Sequence, residues 1–227
     1  MMKILAQPWG GLGDNLQFST LPEKFSEKSI EVFISDKNSY RSHEIKELVW
    51  TKNPYVKGIS SQPSNIGSCI PYRRKYSDKS IVFNQEACHG LEPTNETPKI
   101  FYEPKLLKDF ENCVFVDISA KSSAPLIPNN FNDYLKSNFL NKTIIIPSFK
   151  NKVDSEKRKD FNFDYEINIE SIFHFCELIH SCNHFVCAFS GQSLLASALN
   201  KRNTTCFVRK AYESCDFCFP NIKYHSI

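Results

Sequence analysis

The chain has 227 residues, of which 41% are hydrophobic and 23% charged, and a net charge of +3. That is ordinary soluble globular composition, with room for one large domain or two smaller ones, and it speaks against intrinsic disorder. The charge is too mild to argue for a nucleic-acid partner.

No apolar stretch reaches the roughly 18 residues that span a bilayer. The start, "MMKILAQPWGG", carries one Lys and too short an apolar run for a signal peptide, so a cytoplasmic protein is expected. Nine cysteines, an odd number, sit mostly in apolar runs, as with Cys113, Cys176, Cys187 and Cys206. Buried free thiols are the expectation in a reducing compartment. The pair Cys215–Cys218 has metal-ligand spacing but no second pair to complete a site.

In chain order, "KILAQ" (3–7) reads as a buried strand and "NLQFSTLPEKFSEK" (15–28) as a helix that ends or kinks at Pro22. "IEVFISD" (30–36) is a second strand. "SHEIKELVWT" (42–51) is a helix capped by Ser42, and "NPYVKGIS" (53–60) turns into a third strand. This alternation predicts a parallel sheet with right-handed crossovers. The run 60–80 is turn-rich, and 80–88 reads as a further short strand. Residues 89–104 hold three prolines and no periodicity, which suits a crossing between domains.

A second alternating block follows, with strands expected at 113–119, 142–149, 184–190 and 203–209. Helices are expected at 130–140, 168–182 and 191–201. The expected fold class is α/β, with two facing Rossmann-like domains over residues 1–104 and 105–227 and a cleft between them.

Two basic runs stand out. The run 151–160 mixes charges and reads as a solvated surface. The run 71–79 places Arg73, Arg74 and Lys75 between Tyr72 and Tyr76, a pattern that suits a phosphate or an anionic membrane surface. Peripheral membrane contact is therefore left open.

Ligands of open α/β sheets bind beyond the carboxyl ends of the strands. Two strand-to-helix turns suit that role. The first, "WGGLGDN", holds Gly10, Gly11 and Gly13, three of the chain's seven glycines, followed by Asp14 and Asn15. It is not a dinucleotide fingerprint, because Leu16 stands where the third glycine belongs. Glycines here let the backbone turn sharply and a ligand approach. Asp14 either caps the helix or does chemistry.

The second turn is "AFSGQSLLASAL", where Ser190, Gly191, Gln192 and Ser193 open a helix. Free N–H groups at such a start suit phosphate. A nucleophilic-serine hydrolase is disfavoured, since the G-x-S-x-G elbow is absent. Lys121, Ser122 and Ser123 follow the first strand of the second block and form a third candidate grip for phosphate.

Taken together, "WGGLGDNLQFSTLPEKF" and "LIHSCNHFVCAFSGQSLLASALNK", with "PKIFYEP" between them, resemble the heptosyltransferase-like GT-B glycosyltransferases, glycosyltransferase family 9 and relatives. The chain is shorter than typical members, and Phe189 stands where an Asp usually precedes Ser–Gly. Gln192, Ser193 and Leu194 replace the residues around the usual His. The resemblance implies sugar transfer from a nucleotide-diphosphate sugar to a hydroxyl on a glycan or lipid-linked saccharide. It implies an inverting, metal-independent reaction with no cofactor.

The same resemblance assigns Asp14 as general base and Gly10, Gly11, Gly13 and Asn15 to the acceptor-side loop. The donor phosphates go to Lys121, Ser122, Ser123 and Ser190–Ser193. A non-catalytic nucleotide or phosphosugar binder of the same shape, and a sugar-nucleotide epimerase, remain as alternatives.

Overall fold

The computed structural model describes residues 2–6, 9–37, 39–66, 76, 78–119, 130–149, 162–208 and 219–226. The basic cluster at 71–75, the run 151–160, Lys121–Ser123 and the Cys215–Cys218 pair lie outside them.

The chain forms two parallel sheets, one from each alternating block. The first contains β1 (Met2–Leu5), β2 (Glu31–Ser35) and β3 (Val56–Ser60), in the order β1-β2-β3. Ser64–Ile66 lies along the other edge of β1, where the N–H groups of Asn65 and Ile66 donate to Ile4 O and Ile66 bridges Leu5. The chain therefore reverses its direction of travel across the sheet beside β1. Helices α1 (Leu12–Leu16), α2 (Leu21–Ser26), α3 (His43–Lys46) and α4 (Ile81–Cys88) accompany this sheet. A single π turn, Glu47–Thr51, extends α3.

The second sheet has the order β6-β5-β4-β7-β8-β9, all parallel. Its strands are β4 (Cys113–Asp117), β5 (Thr143–Ser148), β6 (Tyr165–Asn168), β7 (His184–Ala188), β8 (Thr204–Val208) and β9 (Lys223–Ser226). Helices α5 (Phe131–Asn138), α6 (Ile172–Ser181) and α7 (Gly191–Ala198) connect them. The chain runs outward from β4 to β6, then returns to the other side of β4 as β7. The switch point thus falls between β4 and β7. β4 and β8 are buried along their whole length, as central parallel strands covered on both faces must be.

One apolar cluster runs through both halves, from Leu5, Leu16 and Trp50 to Phe175, Leu194 and Leu195. A second lies on the other face of the second sheet, around Val114, Phe131, Val186 and Phe207. Polar contacts also cross the junction. Glu44 Oε2 accepts from Ile172 N at 3.2 Å and so caps α6 from the first half. Tyr102 Oη donates to Glu177 Oε1 at 2.9 Å; burial and that carboxylate push the phenol's pKa up.

Several elements differ from the expectation. Residues 81–88 are a helix, not a strand. Ser80 caps it by accepting from Phe83 N, and the Asn84 amide donates to Tyr76, Lys79 and Ser80 carbonyls, which fixes its first turn. A short apolar run does not distinguish the two by period. The helix expected over 15–28 is two helices, and Pro22 lies in the first turn of the second, where its missing N–H costs nothing. β6 and β9 were not expected. Both are sheet-edge strands with polar, largely uncovered side chains, so they lack the apolar run that marks the inner strands.

Candidate active site

Each candidate turn leaves the strand beside which its sheet reverses order. The first follows β1 and the second follows β7, next to β4. Crevices of this kind are where open α/β sheets take ligands.

The first turn begins earlier than the spacing suggests. Gly11 is the N-cap of α1, so Gly13 and Asp14 lie inside the helix's first turn. Asp14 Oδ2 reaches back and accepts from Gly11 N at 3.0 Å. The capping alternative is therefore realised, from the third helical position rather than from the cap. This uses one carboxylate oxygen and leaves Oδ1 with no partner among the described residues. Asn15 is fully buried, donating to Gly11 O at 2.8 Å and accepting from Trp50 Nε1 at 2.7 Å. It pins the turn to the core.

Gly10 has φ +68°, and its carbonyl accepts from Arg41 N at 2.8 Å. A Cβ at Gly10 would meet Arg41 Cγ at 3.2 Å and Arg41 N at 3.3 Å. The loop after β2 thus lies directly on the glycine turn, which explains why a glycine is needed. Sequence reasoning missed Arg41. Its exposed guanidinium and the Asp14 carboxylate both fall within 4 Å of the point a Cβ on Gly11 would occupy. The only available signal was its place just beyond a strand's carboxyl end.

In the second turn, Ser190 caps α7 by accepting from Gln192 N. Its hydroxyl donates to Gln192 Oε1. Gln192 Nε2 donates to Asp117 Oδ2 at 2.7 Å and to Ser119 O at 2.6 Å. Ser193 is fully buried and donates to Ser190 O at 2.8 Å. All three side chains are thus turned into the protein's own network. Gly191 N–H has no acceptor among the described residues. Asp117, buried at the end of β4, was not foreseen either.

The structure brings the two turns into contact. A Cβ built on Gly13 would lie 3.0 Å from Gly191 Cα, and one built on Gly191 would lie 3.0 Å from Gly13 N. Asp14 is the residue after Gly13, so its backbone lies next to the point where the two turns meet. Among the described residues, no three His, Cys, Asp or Glu side chains gather as a metal site would require. Nor is any described helix long and apolar enough to cross a membrane.

No protein-family model matches the sequence, and no curated protein does. Solved structures do match. One is the iron-containing dodecameric glycosyltransferase TibC from enterotoxigenic E. coli H10407, at TM-score 0.65 and 14% identity. The match covers all of this chain but 62% of TibC, so the chain spans less than two thirds of that protein's length. Another is the glycosyl transferase family 9 protein from Veillonella parvula DSM 2008, at TM-score 0.63 and 9% identity, over 100% of this chain and 85% of that one. A third is E. coli heptosyltransferase WaaC with ADP, at TM-score 0.61 and 9% identity, over 100% and 93%. At such identities the likeness is one of fold. The chain has the α/β, GT-B-like fold of heptosyltransferases, as its motifs led one to expect.

Proposed function

We propose that the chain is a glycosyltransferase that moves a sugar from a nucleotide-diphosphate sugar to a hydroxyl acceptor. The observation that carries this reading is the contact of the two turns at Gly13 and Gly191, the residue before Asp14 and the first residue of a phosphate-suited helix. The heptosyltransferase fold of the neighbours supports it.

In this reading residues 1–104 form the acceptor side and 105–227 the donor side. The donor diphosphate meets the start of α7 through the Gly191 N–H, with Lys121, Ser122 and Ser123 adding charge and donors. Asp14 Oδ1 accepts the acceptor hydroxyl's proton as the oxygen attacks the anomeric carbon. The bond from that carbon to the diphosphate oxygen breaks on the opposite face, giving inversion and a free nucleoside diphosphate. Negative charge building on the leaving group is stabilised by the preorganised donors of the turn. A base must lie within hydrogen-bond reach of the hydroxyl it activates. The glycine backbone around Asp14 permits that approach. No metal enters the scheme, so activity survives treatment with EDTA.

The test is a thermal-shift panel of ADP, UDP and GDP sugars, followed by assay of nucleoside diphosphate release with and without saccharide acceptors. Binding with release supports the reading. Absence of binding to every nucleotide sugar contradicts it. One observation favours the second reading, a binder without turnover: Asp14 already has a structural partner in Gly11 N–H. Tight binding with no release on any acceptor would select that alternative.

A further inference from the structure

The donor side holds a buried carboxylate that the proposed reaction does not use. Asp117 closes β4 at the switch point and is 1% exposed. Its Oδ1 accepts from Ser119 N at 3.0 Å and from Ser119 Oγ at 2.6 Å. Its Oδ2 accepts from Gln192 Nε2 at 2.7 Å. The same amide nitrogen donates to Ser119 O at 2.6 Å and lies 3.1 Å from Ser119 Oγ. Gln192 Oε1 accepts from Ser190 Oγ, the cap of α7. A buried carboxylate is tolerated only where donors of this kind surround it. Here they come from two places: the loop that leaves the strand and the first turn of α7. Gly191, in that first turn, rests on Gly13.

We propose that Asp117 is a positioning residue: acting through Gln192, it fixes the first turn of α7, and through the Gly191–Gly13 contact it fixes the turn that carries Asp14. Its consequence for catalysis rests on the glycosyl-transfer reading, but the mechanical role does not. The same carboxylate also holds Ser119, the second residue beyond β4.

The experiment is hydrogen–deuterium exchange on Asp117→Asn, Gln192→Glu and the double variant, with binding of ADP, UDP and GDP measured in parallel. An asparagine at 117 sets one N–H donor against another, and a glutamate at 192 sets two carboxylates face to face. Each single variant therefore speeds exchange about tenfold or more at residues 190–194 and also at 11–16, the loss expected for a hydrogen bond to a charged group. Peptides from β2 and β3 stay at the wild-type rate. In the double variant the asparagine amide donates to the new carboxylate, and exchange at both turns returns part of the way.

Faster exchange confined to 117–119, or a double variant no slower than the worse single one, overturns the proposal. If the wild-type protein binds none of the three diphosphates, the donor reading fails, while the exchange pattern still decides the positioning role. Gln192 is only half-buried, so Gln192→Glu keeps the test available if Asp117→Asn does not fold.

Discussion

Gly13 and Gly191 meet backbone to backbone, each where the other's side chain would stand, with 3.0 Å to the nearest atom in both directions. A glycine from each half of the chain is thus required by the other. Alanine at either position forces the two turns apart, since the obstacle is main chain and not a side chain that can swing away. Overpacking of this kind costs about 1–3 kcal/mol. Both Gly13→Ala and Gly191→Ala should lower the melting temperature, and turnover should fall more than nucleotide affinity. Gly58→Ala is the control: its Cβ meets only Phe33 ring carbons at 3.7 Å, an ordinary contact. Equal behaviour of all three variants would show that the turns are not held by this contact.

A second pair of glycines separates backbone strain from crowding. Gly10 and Gly90 have nearly the same φ, +68° and +70°. A Cβ at Gly90 meets nothing within 4 Å, whereas one at Gly10 meets Arg41 and Tyr40 at 3.2–3.3 Å. Gly90→Ala should cost only the left-handed penalty of about 1–2 kcal/mol. Gly10→Ala should cost more and should loosen the Arg41 loop. Chemical denaturation midpoints compare the two directly; a larger loss at Gly90 would contradict the packing described.

Much of this architecture is legible in the sequence, because the inner strands are continuous apolar runs and the caps are local. Ser42 and Ser190 cap the helices they precede, as their positions suggest. The site is less legible, for reasons of distance along the chain. Gln192 is saturated by groups more than 70 residues away, at Asp117 and Ser119. Read locally, its amide is a free phosphate ligand. Ser193 shows the same effect: only the fold reveals that its hydroxyl is buried. Asp14 is an intermediate case. Its capping bond is local and foreseeable, but its neighbourhood with α7 depends on the Gly13–Gly191 contact. The edge strands β6 and β9 escape notice because exposure removes the apolar signal that marks β4, β7 and β8.

Two histidines predict an acid-sensitive fold. His89 packs edge-on against Phe18 and Phe25, and burial with the nearby Lys3 charge lowers its pKa to about 4. His184 lies 3.0 Å from Thr205 Oγ1 and against the Phe139 ring; burial, Lys201 and Lys223 lower its pKa to about 4 as well. An unfolded histidine titrates near 6.5. Between these values the unfolded chain binds more protons than the folded one. Stability is therefore full above about pH 6.5 and falls as the pH drops toward 4. Melting temperatures at pH 7.5, 6 and 5 should decline in that order. The double variant His89→Phe, His184→Gln should flatten the decline, and an unchanged slope would assign it to other groups.

The most direct measurement of the central claim is turnover by Asp14→Asn. Asparagine keeps an oxygen for the Gly11 N–H and so preserves the turn, but it cannot take a proton from an acceptor. The account predicts a turnover loss of about 10²–10⁴-fold, the usual worth of a general base, with nucleoside diphosphate affinity and melting temperature close to wild type. Near-normal turnover by this variant would contradict the assignment and leave Asp14 as a helix cap alone.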